Sequence, residues 1–226
     1  MHTIELAVFD MAGTTVNEDN VVYKTLQKAI NNTGRILTLD FILEHGAGKE
    51  KHQAIKDILK EADGSYLDDE TVVIFENFKE LLKKAYQDLE VTTYVGVEDL
   101  IAFLKKENIK IALNTGYDKN TAQFLIDKMK WKLGVQFDAL VTADDIQKGR
   151  PNPDMILEAM NILQIDNPDK VLKAGDSIID IEEGKNAKCG MTIGVTTGAH
   201  TREQLASANP TYVLDSLLEL KDILSK

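Results

Sequence analysis

A doubly wound α/β fold with a helical insertion is the architecture this chain predicts, on three observations. The segment Ile4-Glu5-Leu6-Ala7-Val8-Phe9-Asp10 is an apolar, partly β-branched run that stops on an acid, as a buried strand of an open parallel sheet does. From Thr93 onward, apolar runs of strand length alternate with segments of helical periodicity, the pattern of βα units. Between the first strand and the next convincing one, near Lys110, lies a gap far longer than a simple crossover, and it is filled with helical patterns.

The elements follow in order. Asn17 is placed to cap a helix running to about Asn31, with Gly34 beyond it. Leu39–Leu43 is a short helix. Lys49–Leu59 is another, with Ile55, Ile58 and Leu59 on its apolar side. Asp68–Leu89 is the longest, with Phe78, Leu81, Leu82, Ala85 and Leu89 at helical spacing. These helices predict a separate helical unit over residues 16–92, with hinges near Thr15–Asn17 and Thr92–Gly96, inserted into a core of residues 1–15 and 93–226. In the second half, helices are expected over Val97–Lys106, Asn120–Trp131, Pro153–Leu163 and Ile179–Lys188, with a short one from Thr201. The strands between them are Ile109–Leu113, Phe137–Val141, Val171–Ala174 and Thr192–Val195, and Tyr212-Val213-Leu214 is a last edge strand.

Composition narrows the function. Hydrophobic residues make up 43% and charged residues 28% of the 226, ordinary for a globular protein. A formal charge of −11 disfavours nucleic acid, whose phosphates require a basic face. No run approaches the roughly 20 apolar residues of a membrane helix. One cysteine, Cys189, allows no internal disulfide, and with no signal-type apolar N-terminus the expected location is cytoplasmic.

Four stretches carry the chemistry. Asp10-Met11-Ala12-Gly13-Thr14-Thr15 places a carboxylate at a strand end before a turn rich in N–H groups and hydroxyls. Asn114-Thr115-Gly116 ends a strand on a hydroxyl and a glycine at a helix N-terminus, where phosphoryl oxygens bind. Lys148-Gly149-Arg150-Pro151 supplies cations, and Arg150 has the planar fork that pairs with carboxylates and phosphoryl groups. Asp176-Ser177-Ile178-Ile179-Asp180 gives two carboxylates one helical turn apart. Together these suit transfer of a phosphoryl group to an aspartate with a divalent metal.

The order and spacing of these stretches resemble the haloacid dehalogenase superfamily over essentially the whole chain. Ala12, where most of its phosphatases carry a second aspartate, and Arg150, where most members have lysine, resemble the phosphonatase branch. The resemblance implies a Rossmann-like core closed over by a four- or five-helix cap. It implies Asp10 as nucleophile, with metal ligands from Asp10, the Ala12 carbonyl and Asp176. Asp180 binds the metal directly or through a water, and oxygen ligands with room for water suit Mg²⁺. Alanine at position 12 cannot protonate a leaving group. In phosphonatase a cap lysine instead forms an imine with the substrate. Gly46-Ala47-Gly48-Lys49-Glu50-Lys51-His52 resembles that cap signature, with Lys49 as imine former and His52 as its proton-transfer partner, one helical turn apart. Tyr117 resembles an active-site tyrosine of the same enzymes.

The expectation is thus a Mg²⁺-dependent hydrolase of a small phosphorylated or phosphonate metabolite, acting as monomer or homodimer. C–P cleavage of phosphonoacetaldehyde stands beside hydrolysis of a phosphate monoester, in which His52 or a bound water must replace the missing acid. A non-catalytic phosphate-binding protein is the rival from another class.

Overall fold

A computed structural model describes residues 4–225. The chain opens with β1 (Leu6–Asp10), buried along its whole length. A short strand β2 (Val16–Asn17) leads to four helices: α1 (Val21–Asn31), α2 (Leu39–Gly46), α3 (Lys51–Asp63) and α4 (Asp68–Asp88). Strand β3 (Thr92–Thr93) returns the chain, and α5 (Val97–Lys106), β4 (Lys110–Asn114), α6 (Lys119–Met129), β5 (Ala139–Val141) and α7 (Asp154–Leu163) follow. The remainder is β6 (Val171–Gly175), α8 (Ile178–Asn186), β7 (Met191–Val195), α9 (Arg202–Ser207), β8 (Tyr212–Leu214) and α10 (Leu220–Leu224). No helix among the described residues is long and apolar enough to cross a membrane.

Six parallel strands form one sheet in the order β5-β4-β1-β6-β7-β8. The chain runs outward from β1 through β4 to β5, then returns to place β6 on the other side of β1. That reversal is a topological switch point, and it opens a crevice past the carboxyl ends of β1 and β6. Asp10 ends β1 in register with Asn114 of β4. Burial on both sheet faces explains the unbroken apolar sequence of β1. Ala7 and Phe9 belong to one apolar cluster, and Leu6 and Val8 to another containing Met155, Ile156 and Ala159 of α7.

The four-helix unit is built from amphipathic faces. Val22, Leu26, Ala29 and Ile30 of α1 are buried, as are Ala54, Ile55, Ile58 and Leu59 of α3. α4 starts on Asp68, Asp69 and Glu70, which suit the positive end of the helix dipole. β2 and β3 pair antiparallel, Val16 with Thr93 and Asn17 with Thr92, so the two chain crossings into this unit form one ribbon. Asn17 therefore lies in a strand and does not cap α1. The residue before α1 is Asn20, in the left-handed region with no side-chain cap bond, while the Glu18 carboxyl accepts from Val22 N–H.

Candidate active site

Asp10 is held at the strand end by its surroundings. Its own carbonyl accepts from the Thr15 hydroxyl at 2.9 Å, and Met11 C=O accepts from the N–H groups of Thr15 and Val16. Arg150 Nη1 donates to Asp10 Oδ1 at 2.7 Å. The same guanidinium uses Nη2 on the Asn114 backbone and side-chain oxygens, at 2.9 and 2.8 Å, and Nε faces Glu183 at 3.1 Å. Lys173, fully buried in β6, donates to Asn114 Oδ1 at 2.7 Å and pairs with Asp180 at 2.9 Å.

Asp176 faces Asp10 from the end of β6. Ala199 N–H donates to its Oδ2 at 2.7 Å. Two glycines make room for it: a Cβ at Gly13 would stand 2.2 Å from Asp176 Oδ2, and one at Gly198 would stand 2.0 Å away. Burial, followed by the nearby Asp10 and Asp180 charges, drives the Asp176 carboxyl well above the usual range. Burial raises Asp10 too, against the pull of Arg150. Burial would also raise Asp180, but Arg150, Lys173 and the Ser177 hydroxyl bring it down to about 2.

Oxygens of Asp10, Asp176 and Asp180 all lie within 4.8 Å of one another. Among the described residues, the buried carboxylates Asp10, Asp180 and Glu183 pair with the buried cations Arg150 and Lys173, and Asp176 pairs with neither. An acid with no cation partner, and a donor set made only of oxygen, fit a hard divalent cation. Asp180 is already engaged on both oxygens: Oδ1 with Arg150 and Lys173, Oδ2 with Ser177 N–H and Oγ in the capping box of α8. Asp10, with one oxygen on Arg150, and Asp176 are thus freer to share a cation than Asp180. Gly198→Ala pushes on Asp176 and is expected to weaken divalent-cation affinity about 10–100-fold in calorimetric titration. Unchanged affinity would show that Asp176 is not a ligand.

Thr115 is buried beside this set, its hydroxyl accepting from Tyr117 N–H at 3.2 Å. Gly116 touches the helical unit: a Cβ there would meet the Lys49 carbonyl oxygen at 2.9 Å. Gly48, in turn, lies against Ser177, with its carbonyl 3.5 Å from Arg150 Nη1. The segment 46–50 therefore lies directly over the carboxylate cluster.

The Lys49 and His52 side chains are not brought together as the sequence spacing suggests. The Glu50 side chain accepts from the N–H groups of His52 and Gln53, so Glu50 is the N-cap and the helix begins at Lys51. Lys49 lies outside α3, and its ammonium pairs with Asp57 at 2.5 Å. His52 Nε2 bonds the Thr71 hydroxyl at 3.0 Å, and its ring stacks on Phe75. The buried amine of this segment belongs to Lys51. It is 6% exposed, lies 5.3 Å from the ring centres of both Tyr23 and Tyr117, and donates to Lys49 C=O at 2.6 Å. Burial brings its pKa down to about 8, against the attraction of Glu50 and Asp10. A cavity of about 1010 Å³ opens beside it, lined among others by His52, Phe75, Phe78, Tyr117 and Phe124.

Sequence reasoning passed over Lys51, Lys173, Glu183, Asn114, Gly198 and Glu18. Lys173 had a signal, a charge inside the apolar run Val171-Leu172-Lys173-Ala174. Glu183 stands one helical turn beyond Asp180. Glu18 had none: it is 1% exposed, and burial pushes it up to about 8. Between about 4.5 and about 8 the folded chain keeps a Glu18 proton that the unfolded chain releases, so this group lowers stability as pH rises. Lys51 acts oppositely between about 8 and 10.5, where the folded chain has already released its proton. The melting temperature of Glu18→Gln is expected to fall less than that of the wild type from pH 5 to 8. Parallel curves would show that Glu18 is not buried as a carboxylic acid.

An open parallel sheet with a strand-end aspartate, an arginine on that aspartate and an acidic pair for a divalent cation define a phosphoryl-transfer hydrolase site. The comparisons agree. A haloacid dehalogenase-like hydrolase family model matches residues 4–188, and the chain belongs to that family, on its phosphonatase-like branch. It is 29% identical to a phosphonoacetaldehyde hydrolase of Latilactobacillus sakei, over 100% of this chain and 97% of the relative. It is 28% identical to the pyrophosphatase PpaX of Bacillus mycoides, over 99% and 98%. Among solved structures, a phosphonoacetaldehyde hydrolase-like protein from Oleispira antarctica superposes with a TM-score of 0.84 at 21% identity, covering 98% of this chain and 91% of the other.

Proposed function

We propose that this hydrolase is a Mg²⁺-dependent phosphonatase that cleaves the C–P bond of a small phosphonate bearing a carbonyl group, of the phosphonoacetaldehyde type. The observation that carries this reading is the Lys51 amine, buried beside Tyr23 of the helical unit and Tyr117, which follows the Thr115-Gly116 turn, together with Ala12. A desolvated amine of lowered basicity is what imine formation needs, whereas ester hydrolysis needs an acid where Ala12 stands. The imine role expected of Lys49 passes to Lys51.

In this reading Lys51 Nζ adds to the substrate carbonyl carbon, and loss of water gives a protonated imine. Asp10 attacks phosphorus as the C–P bond breaks, and that electron pair moves into the iminium to leave an enamine. Arg150 orients Asp10 and, with Thr115 and the N–H of Gly116, holds the phosphoryl oxygens. Protonation of the enamine and hydrolysis of the new imine free Lys51, and water hydrolyses the acyl phosphate on Asp10. Mg²⁺, held by Asp10, Asp176 and the Ala12 carbonyl, with Asp180 behind them, would screen the repulsion between the carboxylate and the phosphoryl group. Residues 16–92 serve as the cap that carries Lys51, and the β2–β3 ribbon is its hinge.

Equal amounts of phosphate and acetaldehyde released from phosphonoacetaldehyde, dependent on Mg²⁺, are expected. The volume of the adjoining cavity favours a second reading, hydrolysis of a larger phosphate monoester. Phosphate release from monoesters without any turnover of the aldehyde would replace the first reading with that one.

A further inference from the structure

The cavity beside Lys51 is far larger than a two-carbon aldehyde needs. Its volume, about 1010 Å³, is that of pockets which enclose whole drug-sized molecules. Lys51 and Tyr117, both buried, belong to its lining, as does Gly116 of the Thr115-Gly116 turn. A group attached to a carbonyl carbon held on Lys51 therefore has this space beside it. We propose that the substrate is a β-ketophosphonate whose carbonyl carbon carries a neutral aromatic group, and that the cavity takes that group. The inference rests on the C–P reading above and names the substrate class within it.

Aromatic rings dominate the lining. The His52 ring stacks on Phe75 with centres 5.2 Å apart and planes 16° apart, and Phe75 lies 6.2 Å from Phe78 at 19°. Tyr86 of α4 and Phe124 of α6 form a second pair, 5.6 Å apart. A flat ring suits such surfaces better than a flexible chain, because it buries area with little loss of rotational freedom. The hydroxyls of Tyr86 and Tyr117 are buried in this lining with no hydrogen-bond partner among the described residues. A bond between the two would use one of their protons and leave the other. A buried donor of this kind calls for an acceptor, so the aromatic group carries one, such as a phenol or ether oxygen. The exposed charges of the lining are Lys79, Lys83, Asp118 and Asp144, which cancel and favour a neutral group.

The chemistry balances with water as the only co-reactant. Lys51 Nζ bonds to the ketone carbon and water leaves, giving an iminium. Asp10 attacks phosphorus, the C–P bond breaks, and its electron pair forms the enamine. A proton from solvent on the enamine carbon, then hydrolysis of the imine, releases a methyl ketone. Hydrolysis of the acyl phosphate releases phosphate. The sum is one phosphonate and one water giving one aryl methyl ketone and one phosphate. The aromatic group makes and breaks no bond. Its burial holds the carbonyl carbon beside Lys51, so the rings of the lining set specificity.

The test compares phosphonoacetaldehyde, acetonylphosphonate and para-hydroxyphenacylphosphonate on the full chain with Mg²⁺. The last two are ketones that differ only in the group meant for the cavity. The aryl ketone is expected to show a KM about 10–100-fold below that of the methyl ketone, and borohydride is expected to trap it on Lys51. Phe124→Ala removes one ring from the exposed end of the lining and is expected to shrink that ratio about tenfold. Tyr86→Phe keeps the ring but not the donor and is expected to shrink it about threefold. The two variants lie on different helices, so poor folding of one leaves the other to decide. Turnover of the aldehyde with equal KM for the two ketones, or a ratio that both folded variants leave unchanged, would overturn the assignment of the cavity and leave the C–P reading standing. No turnover and no adduct with any of the three would overturn the C–P reading itself, and the ketone substrate with it.

Discussion

Asp10→Asn is expected to abolish phosphate release, by on the order of 10⁴-fold or more, because it removes the proposed nucleophile. The fold should survive the change. Arg150 keeps Asp180, Glu183 and the Asn114 oxygens as partners, and asparagine still offers it an acceptor. Loss of one carboxylate also eases the excess of negative charge around Asp176. Thermal unfolding should therefore show a folded protein whose activity has vanished with every substrate, ester or phosphonate. Turnover within about tenfold of wild type would remove Asp10 from the chemistry.

The second large effect separates two lysines two residues apart. Lys51→Arg is expected to lower turnover of phosphonoacetaldehyde by on the order of 10³-fold or more, since a guanidinium forms no imine at accessible pH. Lys49→Arg should stay within about threefold of wild type, because arginine can keep the Asp57 pair that Lys49 makes at the surface. The contrast is sharp because both changes preserve charge. A loss confined to Lys49→Arg would return the imine to the residue that the sequence spacing first suggests, and would require the 46–50 segment to rearrange during turnover.

These two lysines also show where sequence reading stops. The strand-end acid, the Thr115-Gly116 turn, Arg150 and the Asp176–Asp180 pair were visible because each follows an apolar run whose burial and direction are fixed by the sheet. The parallel alternation after Thr93 is equally explicit, and its elements fall within a few residues of those expected. The start of α3 was not visible. It depends on Glu50 folding back onto the N–H groups of His52 and Gln53, which moves the helix start past Lys49 and turns Lys51 inward. A shift of two residues on a helix rotates the presented face by more than half a turn. Asn17 failed as a cap for a similar reason: pairing with Thr92 across the ribbon outweighed a local capping preference. Gly198 was silent because its role comes from a segment distant in sequence, the Asp176 carboxyl it makes room for.

Passage of the phosphoryl group through Asp10 is the central claim, and one measurement addresses it most directly. Wild-type protein turning over phosphonoacetaldehyde or an activated phosphate ester with Mg²⁺ is quenched in acid within a turnover, reduced with borohydride and mapped by mass spectrometry. An acyl phosphate is reduced to an alcohol, so the expected result is a modified side chain at position 10, absent when Mg²⁺ is omitted. Sustained phosphate release with Asp10 unmodified at every quench time, and undiminished in Asp10→Asn, would contradict it.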